Sequence, residues 1–89
     1  MLPSPIDVRI NFLKRLREHF YRANLTASAE AIQQTLDRRL DQKSFLFCAQ
    51  RADELAQNAE DVGDTGVARN MRKLAVMYFD TANAYGSWE

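Results

Sequence analysis

The chain has 89 residues, with 12 basic side chains balanced by 12 acidic ones and a hydrophobic share of 46%. That length supports one domain with a thin core, the apolar share excludes a disordered chain, and a net charge of zero gives no general attraction for nucleic acid. No apolar run approaches the roughly 20 residues that a membrane span requires.

The first element starts at "SPID". Ser4 can cap, Pro5 suits the first helical position, and Asp7 stands where a capping box places an acid. Ile6, Ile10, Leu13, Leu16 and Phe20 continue at helical spacing. Val8 and Phe12 widen this arc, so the helix, about 5–23, is expected to be buried on more than one side. Arg9 falls inside the arc. It either snorkels from the first turn or pairs with an acid elsewhere on the fold or on another chain. Asn24 suits a left-handed C-cap, and Thr26 or Ser28 can cap the second helix.

That second helix, about 27–41, carries a narrow stripe of Ala29, Ile32, Leu36 and Leu40. The next stripe begins at Phe45, rotated by about 140°. This phase change predicts a break near "DQKS", with Asp41 or Ser44 as cap. A continuous helix from 28 to 62 is the competing reading, because no glycine or proline interrupts it. The third helix, about 44–62, carries Phe45, Cys48, Ala49, Ala52, Leu55, Ala56 and Ala59. Gly63 is a good C-cap and Asp64 a good N-cap for the fourth helix, about 65–85, whose stripe is Val67, Met71, Leu74, Tyr78, Ala82 and Tyr85. Gly86 ends it ahead of a "SWE" tail that carries Trp88.

Folding at Gly63–Asp64 sets Ala52 at the level of Ala75 and Ala59 at the level of Ala68. Small side chains facing each other let two helices approach closely, so the alanine row reads as an internal seam. Phe45, Leu46 and Phe47 are consecutive, as are Val76, Met77, Tyr78 and Phe79. Three successive helical residues span about 200° and cannot all enter one seam. Whatever helices one and two leave uncovered is an exposed apolar patch, the usual mark of an interface.

Residue types that carry chemistry are sparse. His19 is the only histidine and Cys48 the only cysteine, which gives neither a metal-ligand cluster nor an intrachain disulfide. "NAEDVGDTG" lacks the alternating ligand spacing of a calcium loop, and no glycine-rich phosphate loop is present. No cofactor, catalytic residue or small-molecule substrate is expected. "MLPSPIDV" lacks the regions of a signal peptide and the single cysteine fits a reducing compartment, so a cytoplasmic location is expected.

Charge is unevenly placed. Residues 1–24 hold five basic groups against two acids, and residues 41–66 hold six acids against two bases. The two segments can satisfy each other within one chain or between two. Lys14, Arg15, Tyr21 and Arg22 on the first helix also form a basic, stacking-capable face, the feature a nucleic-acid reading needs.

The stretch "CAQRADELAQNAEDVGDTGVARNMRKLAVMYFDTANAY", residues 48–85, resembles small bacterial helical-hairpin proteins and, loosely, a single tetratricopeptide-type hairpin without a repeat. The resemblance implies a fold and no activity. The sequence thus predicts an all-α antiparallel bundle of three to four helices with a C-terminal helical hairpin. Its expected role is that of a non-enzymatic adaptor, regulator or inhibitor that contacts a protein partner or a second copy through Phe47, Met77, Phe79, Trp88 and Arg9. The alternative is nucleic-acid binding through Lys14, Arg15, Tyr21 and Arg22.

Overall fold

A computed structural model describes residues 4–86. Four helices run in order: α1 (Pro5–Arg22), α2 (Thr26–Leu36), α3 (Gln42–Asp61) and α4 (Thr65–Gly86). The fold is an all-α bundle built on a long α3–α4 hairpin. α1 packs on α2 and α4 and does not reach α3, so one side of the hairpin stays open.

Local chemistry sets most helix ends. The Ser4 side chain accepts from the Asp7 amide at 3.0 Å, closing the first turn of α1 behind Pro5. At the other end Asn24 adopts φ 60°, and the Leu25 amide donates to the Phe20 carbonyl at 2.8 Å. This is a Schellman closure, and asparagine is among the few side chains that enter it readily. The same device ends α3. Gly63 has φ 80°, and the Asp64 amide donates to the Ala59 carbonyl. Asp64 then caps α4 by accepting from the Val67 amide at 3.1 Å. One residue therefore ends one helix and starts the next, which fixes the hairpin turn.

The second helix departs from expectation at both ends. Neither Thr26 nor Ser28 caps it, because Leu25, the last residue of the Schellman closure, is already its N-cap position and offers no side-chain acceptor. It also stops at Leu36, five residues early. Asp41 accepts from the Ser44 amide at 2.8 Å and starts α3, so helices two and three are not continuous. That bond, with Arg39 and Lys43 nearby, holds the Asp41 carboxyl below its usual pKa of 3.8. Two long-range bonds hold the turn in place. The Tyr85 hydroxyl donates to the Leu40 carbonyl at 3.0 Å, and the Gln42 amide group donates to the Ala82 carbonyl at 3.1 Å. A β-carbon on Gly86 would lie 2.8 Å from Gln42 Nε2, so glycine leaves room for that side chain.

The first helix is also less buried than its apolar arc suggested. Leu13 is buried and Ile10, Leu16 and Phe20 pack on the core, but Val8 and Phe12 stay 47% and 48% exposed. α1 buries only the side it turns to α2 and α4, because none of the described elements covers its other flank.

The core is small and aromatic-centred. Phe45 and Tyr78 are fully enclosed with ring centroids 6.2 Å apart, and Tyr85 closes on Phe45 at 5.9 Å. Leu13, Ile32 and Leu74 complete it, each such side chain contributing about 1.5–3 kcal/mol on burial. Ala49, Ala52, Ala56, Ala59, Ala68, Ala75 and Ala82 are all buried, so the alanine row is the packing seam of the hairpin.

Candidate interaction site

The open side of the hairpin is a shallow groove between α3 and α4. Leu46 from α3 and Val76 and Phe79 from α4 line it, with exposures of 42%, 70% and 53%. Ala49 and Ala75 form its floor, and Gln50 and Asp53 its polar rim. These large side chains are displayed because the alanine seam draws the two backbones together and leaves the bulk of positions 46, 76 and 79 outside it. Along α4, Arg69, Lys73, Val76 and Asp80 stand at spacings of three or four residues, so they share one exposed ridge.

Beyond that ridge lies a second groove, between α4 and α1, lined by Val8, Phe12, Met77 and Thr81. Arg9 and Asp80 cross it. Arg9 Nε donates to Asp80 Oδ2 at 2.7 Å, and Arg9 Nη1 donates to the Pro5 carbonyl at 3.0 Å. Arg9 thus finds its acid on α4 of the same chain. Both partners remain partly solvated, so the pair orients α1 and adds no more than about 1 kcal/mol.

The structure does not gather Phe47, Met77 and Phe79 into one patch. Phe79 lies in the outer α3–α4 groove, Met77 in the α1–α4 groove, and Phe47 at the mouth of a cleft between α2 and α3, under the Arg38 guanidinium at 4.4 Å. Trp88 lies outside the described residues. Leu46, Val76, Val8 and Phe12 belong to the exposed apolar surface and were not singled out by sequence reasoning. The signal for Leu46 and Val76 was their place in unbroken apolar runs.

Among the described residues no ion pair joins α1 to residues 41–66. Glu60 pairs instead with Arg72 across the hairpin at 2.8 Å, and Arg51 with Glu54 at 3.4 Å. On α1, Lys14, Arg15, Tyr21 and Arg22 are all exposed, with Glu18 3.9 Å from Arg22. Arg17 turns aside to donate to Gln33 on α2 at 2.8 Å.

Chemistry-bearing groups stay dispersed. His19 is exposed and Cys48 buried. Among the described residues no group of three or more His, Cys, Asp or Glu side chains could hold a metal ion, and no helix is long and apolar enough to cross a membrane. One buried polar atom stands out. The Tyr78 hydroxyl makes no hydrogen bond of good geometry, although the Thr35 side chain stands close enough to act on it as a weak one. Its polar neighbour Thr35 directs its own hydroxyl to the Ala31 carbonyl at 3.1 Å. Burial pushes the Tyr78 phenol up to about 12 from 10.0, so it keeps its proton throughout the physiological range.

No protein-family model, curated protein or solved structure matches this chain.

Proposed function

We propose that this chain is a non-enzymatic protein-binding module, an adaptor, regulator or inhibitor of a larger protein, and that the outer face of the α3–α4 hairpin pairs with a second copy of itself. The supporting observation is the cluster of Leu46, Val76 and Phe79, large apolar side chains exposed together on one groove. Clusters of this kind mark contact surfaces in soluble proteins. The ridge beside it is self-complementary. An antiparallel pairing of two α4 ridges about Val76 sets Lys73 of each copy beside Asp80 of the other, around an apolar centre. A shared core also suits a domain whose own core is thin.

The test is site-specific cross-linking. In a Cys48→Ser background, Val76→Cys should oxidise rapidly to a covalent dimer. The same cysteine placed at Val62, exposed beside the hairpin turn, should not. Equal cross-linking at both positions overturns the reading. Val76→Asp and Lys73→Glu should each give a monomer of unchanged helicity by circular dichroism.

A second reading is favoured by one observation, the common exposure of Lys14, Arg15, Tyr21 and Arg22 on α1. It expects salt-sensitive binding to DNA or RNA, lost in Arg15→Gln/Arg22→Gln. Absence of a mobility shift at low salt removes it.

A further inference from the structure

Two exposed helix flanks share one spacing and carry opposite charge. On α1, Val8, Arg15 and Arg22 are all exposed and recur every two turns, which keeps them on one face. Val8 and Arg15 border one shallow hollow of that flank, and Arg15 and Arg22 border the next. On α3, exposed pairs of neighbours recur at the same interval: Leu46 and Phe47, Asp53 and Glu54, Glu60 and Asp61. One flank therefore reads apolar, basic, basic, and the other apolar, acidic, acidic.

The fold holds these flanks at matching heights on opposite edges. Arg9 meets Asp80, and Asp7 stands near Tyr85 further along α4, so α1 runs antiparallel to α4. α3 is also antiparallel to α4, and the hairpin register sets Phe47 at the level of Asp80. α1 and α3 thus run the same way, with Val8 level with Leu46, Arg15 with Asp53 and Arg22 with Glu60. Intervening positions agree with this match. Glu18, the acid within the α1 row, is level with Gln57, and Arg51, the base within the α3 row, is level with Leu13 beside Phe12. Neither faces a like charge. α1 and α3 do not touch within one chain, so the rows cannot meet there.

Their charges are loosely engaged at home. Among the described residues Arg15 and Asp53 take part in no ion pair. Arg22 lies 3.9 Å from Glu18, and Glu54 lies 3.4 Å from Arg51. Glu60 accepts from Arg72 through Oε1 alone.

We propose that these flanks are the two halves of an edge-to-edge contact between copies of this chain. A second copy displaced sideways, without rotation, lays its α1 parallel to α3 of the first. Val8 then meets Leu46 and Phe47, Arg15 meets Asp53 and Glu54, and Arg22 meets Glu60 and Asp61. The contact is head-to-tail, so each pair keeps one basic and one acidic edge free and further copies add in an open row. Its ion pairs are solvated and screened by salt, so the contact is weak and forms in concentrated protein at low ionic strength. It shares only Leu46 with the outer groove and does not rest on pairing about Val76.

The test uses Val76→Asp throughout, which removes the other pairing, and light scattering of concentrated protein at about 10 mM and about 150 mM salt. At low salt the mass should climb with concentration beyond that of two chains, and at the higher salt it should return to that of one. Arg15→Glu/Arg22→Glu and Asp53→Lys/Asp61→Lys should each weaken the low-salt association about tenfold or more. An equal mixture of these two variants should recover it, because each offers the edge the other lacks. The same charge change on the α4 ridge, Arg69→Glu/Lys73→Glu, should weaken it far less. Circular dichroism checks that every variant keeps its helicity. Position is read by oxidising a mixture of Val8→Cys and Phe47→Cys chains, each also carrying Cys48→Ser, which should give the mixed dimer in excess of either homodimer. Four results overturn the proposal: no rise in mass at low salt, an equal loss in the ridge variant, a mixture that does not recover association, or homodimers that form as readily as the mixed dimer. A chain that shifts DNA through α1 at low salt yet stays single also overturns it.

Discussion

Replacing Tyr78 by phenylalanine removes one atom from the centre of the molecule, and the structure fixes the sign of the effect. The ring sits against Phe45 and is fully buried, while its hydroxyl has only a weak contact with Thr35, outside good hydrogen-bond geometry. An unsatisfied buried hydroxyl costs about 1–3 kcal/mol relative to its hydrated state in the unfolded chain. Tyr78→Phe returns that cost and gives up only the weak Thr35 contact and the dispersion contacts of one oxygen. The net expectation is a stabilisation of about 1 kcal/mol at neutral pH, a rise in Tm of about 4–8 °C for a domain of this size. Alkaline pH sharpens the contrast. The folded-state pKa of Tyr78 is raised to about 12 above the ordinary 10.0, so between these values the folded state holds a proton that the unfolded state has lost. Wild-type stability is complete below pH 10 in this respect and falls as pH rises, by up to about 1.4 kcal/mol per unit. The variant lacks this loss, so its advantage widens in alkali. Urea unfolding followed by circular dichroism at neutral pH and from pH 9 to 11 measures both effects. A variant less stable than wild type at neutral pH, or a gap that stays constant with pH, refutes the reasoning.

Other perturbations probe the frame around the sites. Ala56→Leu places a large side chain at a fully enclosed position of the seam and should destabilise by about 1–3 kcal/mol in the same unfolding assay. Gly63→Ala meets no atom within 4 Å, so its loss, about 1 kcal/mol, comes from the φ of +80° alone; a neutral result would show that the turn can relax. Asp41→Asn tests the start of α3. The wild-type carboxyl is held below 3.8, chiefly by the Ser44 amide, so its contribution is complete above that value and lost as pH falls through the lower folded-state pKa. Acid titration of stability should show a limb in wild type that the variant lacks.

Much of this architecture was legible because it is locally encoded. Ser4–Pro5, Asn24 and Gly63–Asp64 set helix ends through bonds spanning a few residues, and the alanine spacing defined the seam between α3 and α4. The early end of α2 was not legible. The turn after Leu36 is held by Tyr85 and Gln42, through contacts with residues 40 or more positions away in sequence. Hairpin register could place Phe47 and Phe79 at one level but could not say which flank α1 and α2 would occupy. That choice puts Phe47 beside α2, Met77 beside α1 and Phe79 on the open side. It also leaves Val8 and Phe12 exposed although their spacing suggested burial. The paired acid of Arg9 became visible only once α1 lay along α4.

The mass of the intact chain in solution, by light scattering over a concentration series, tests the proposed function most directly. The account predicts a species of twice the 10.2 kDa chain mass that reverts to the single-chain mass on dilution and in Val76→Asp. A single-chain mass at every concentration would contradict pairing through the outer face of the hairpin.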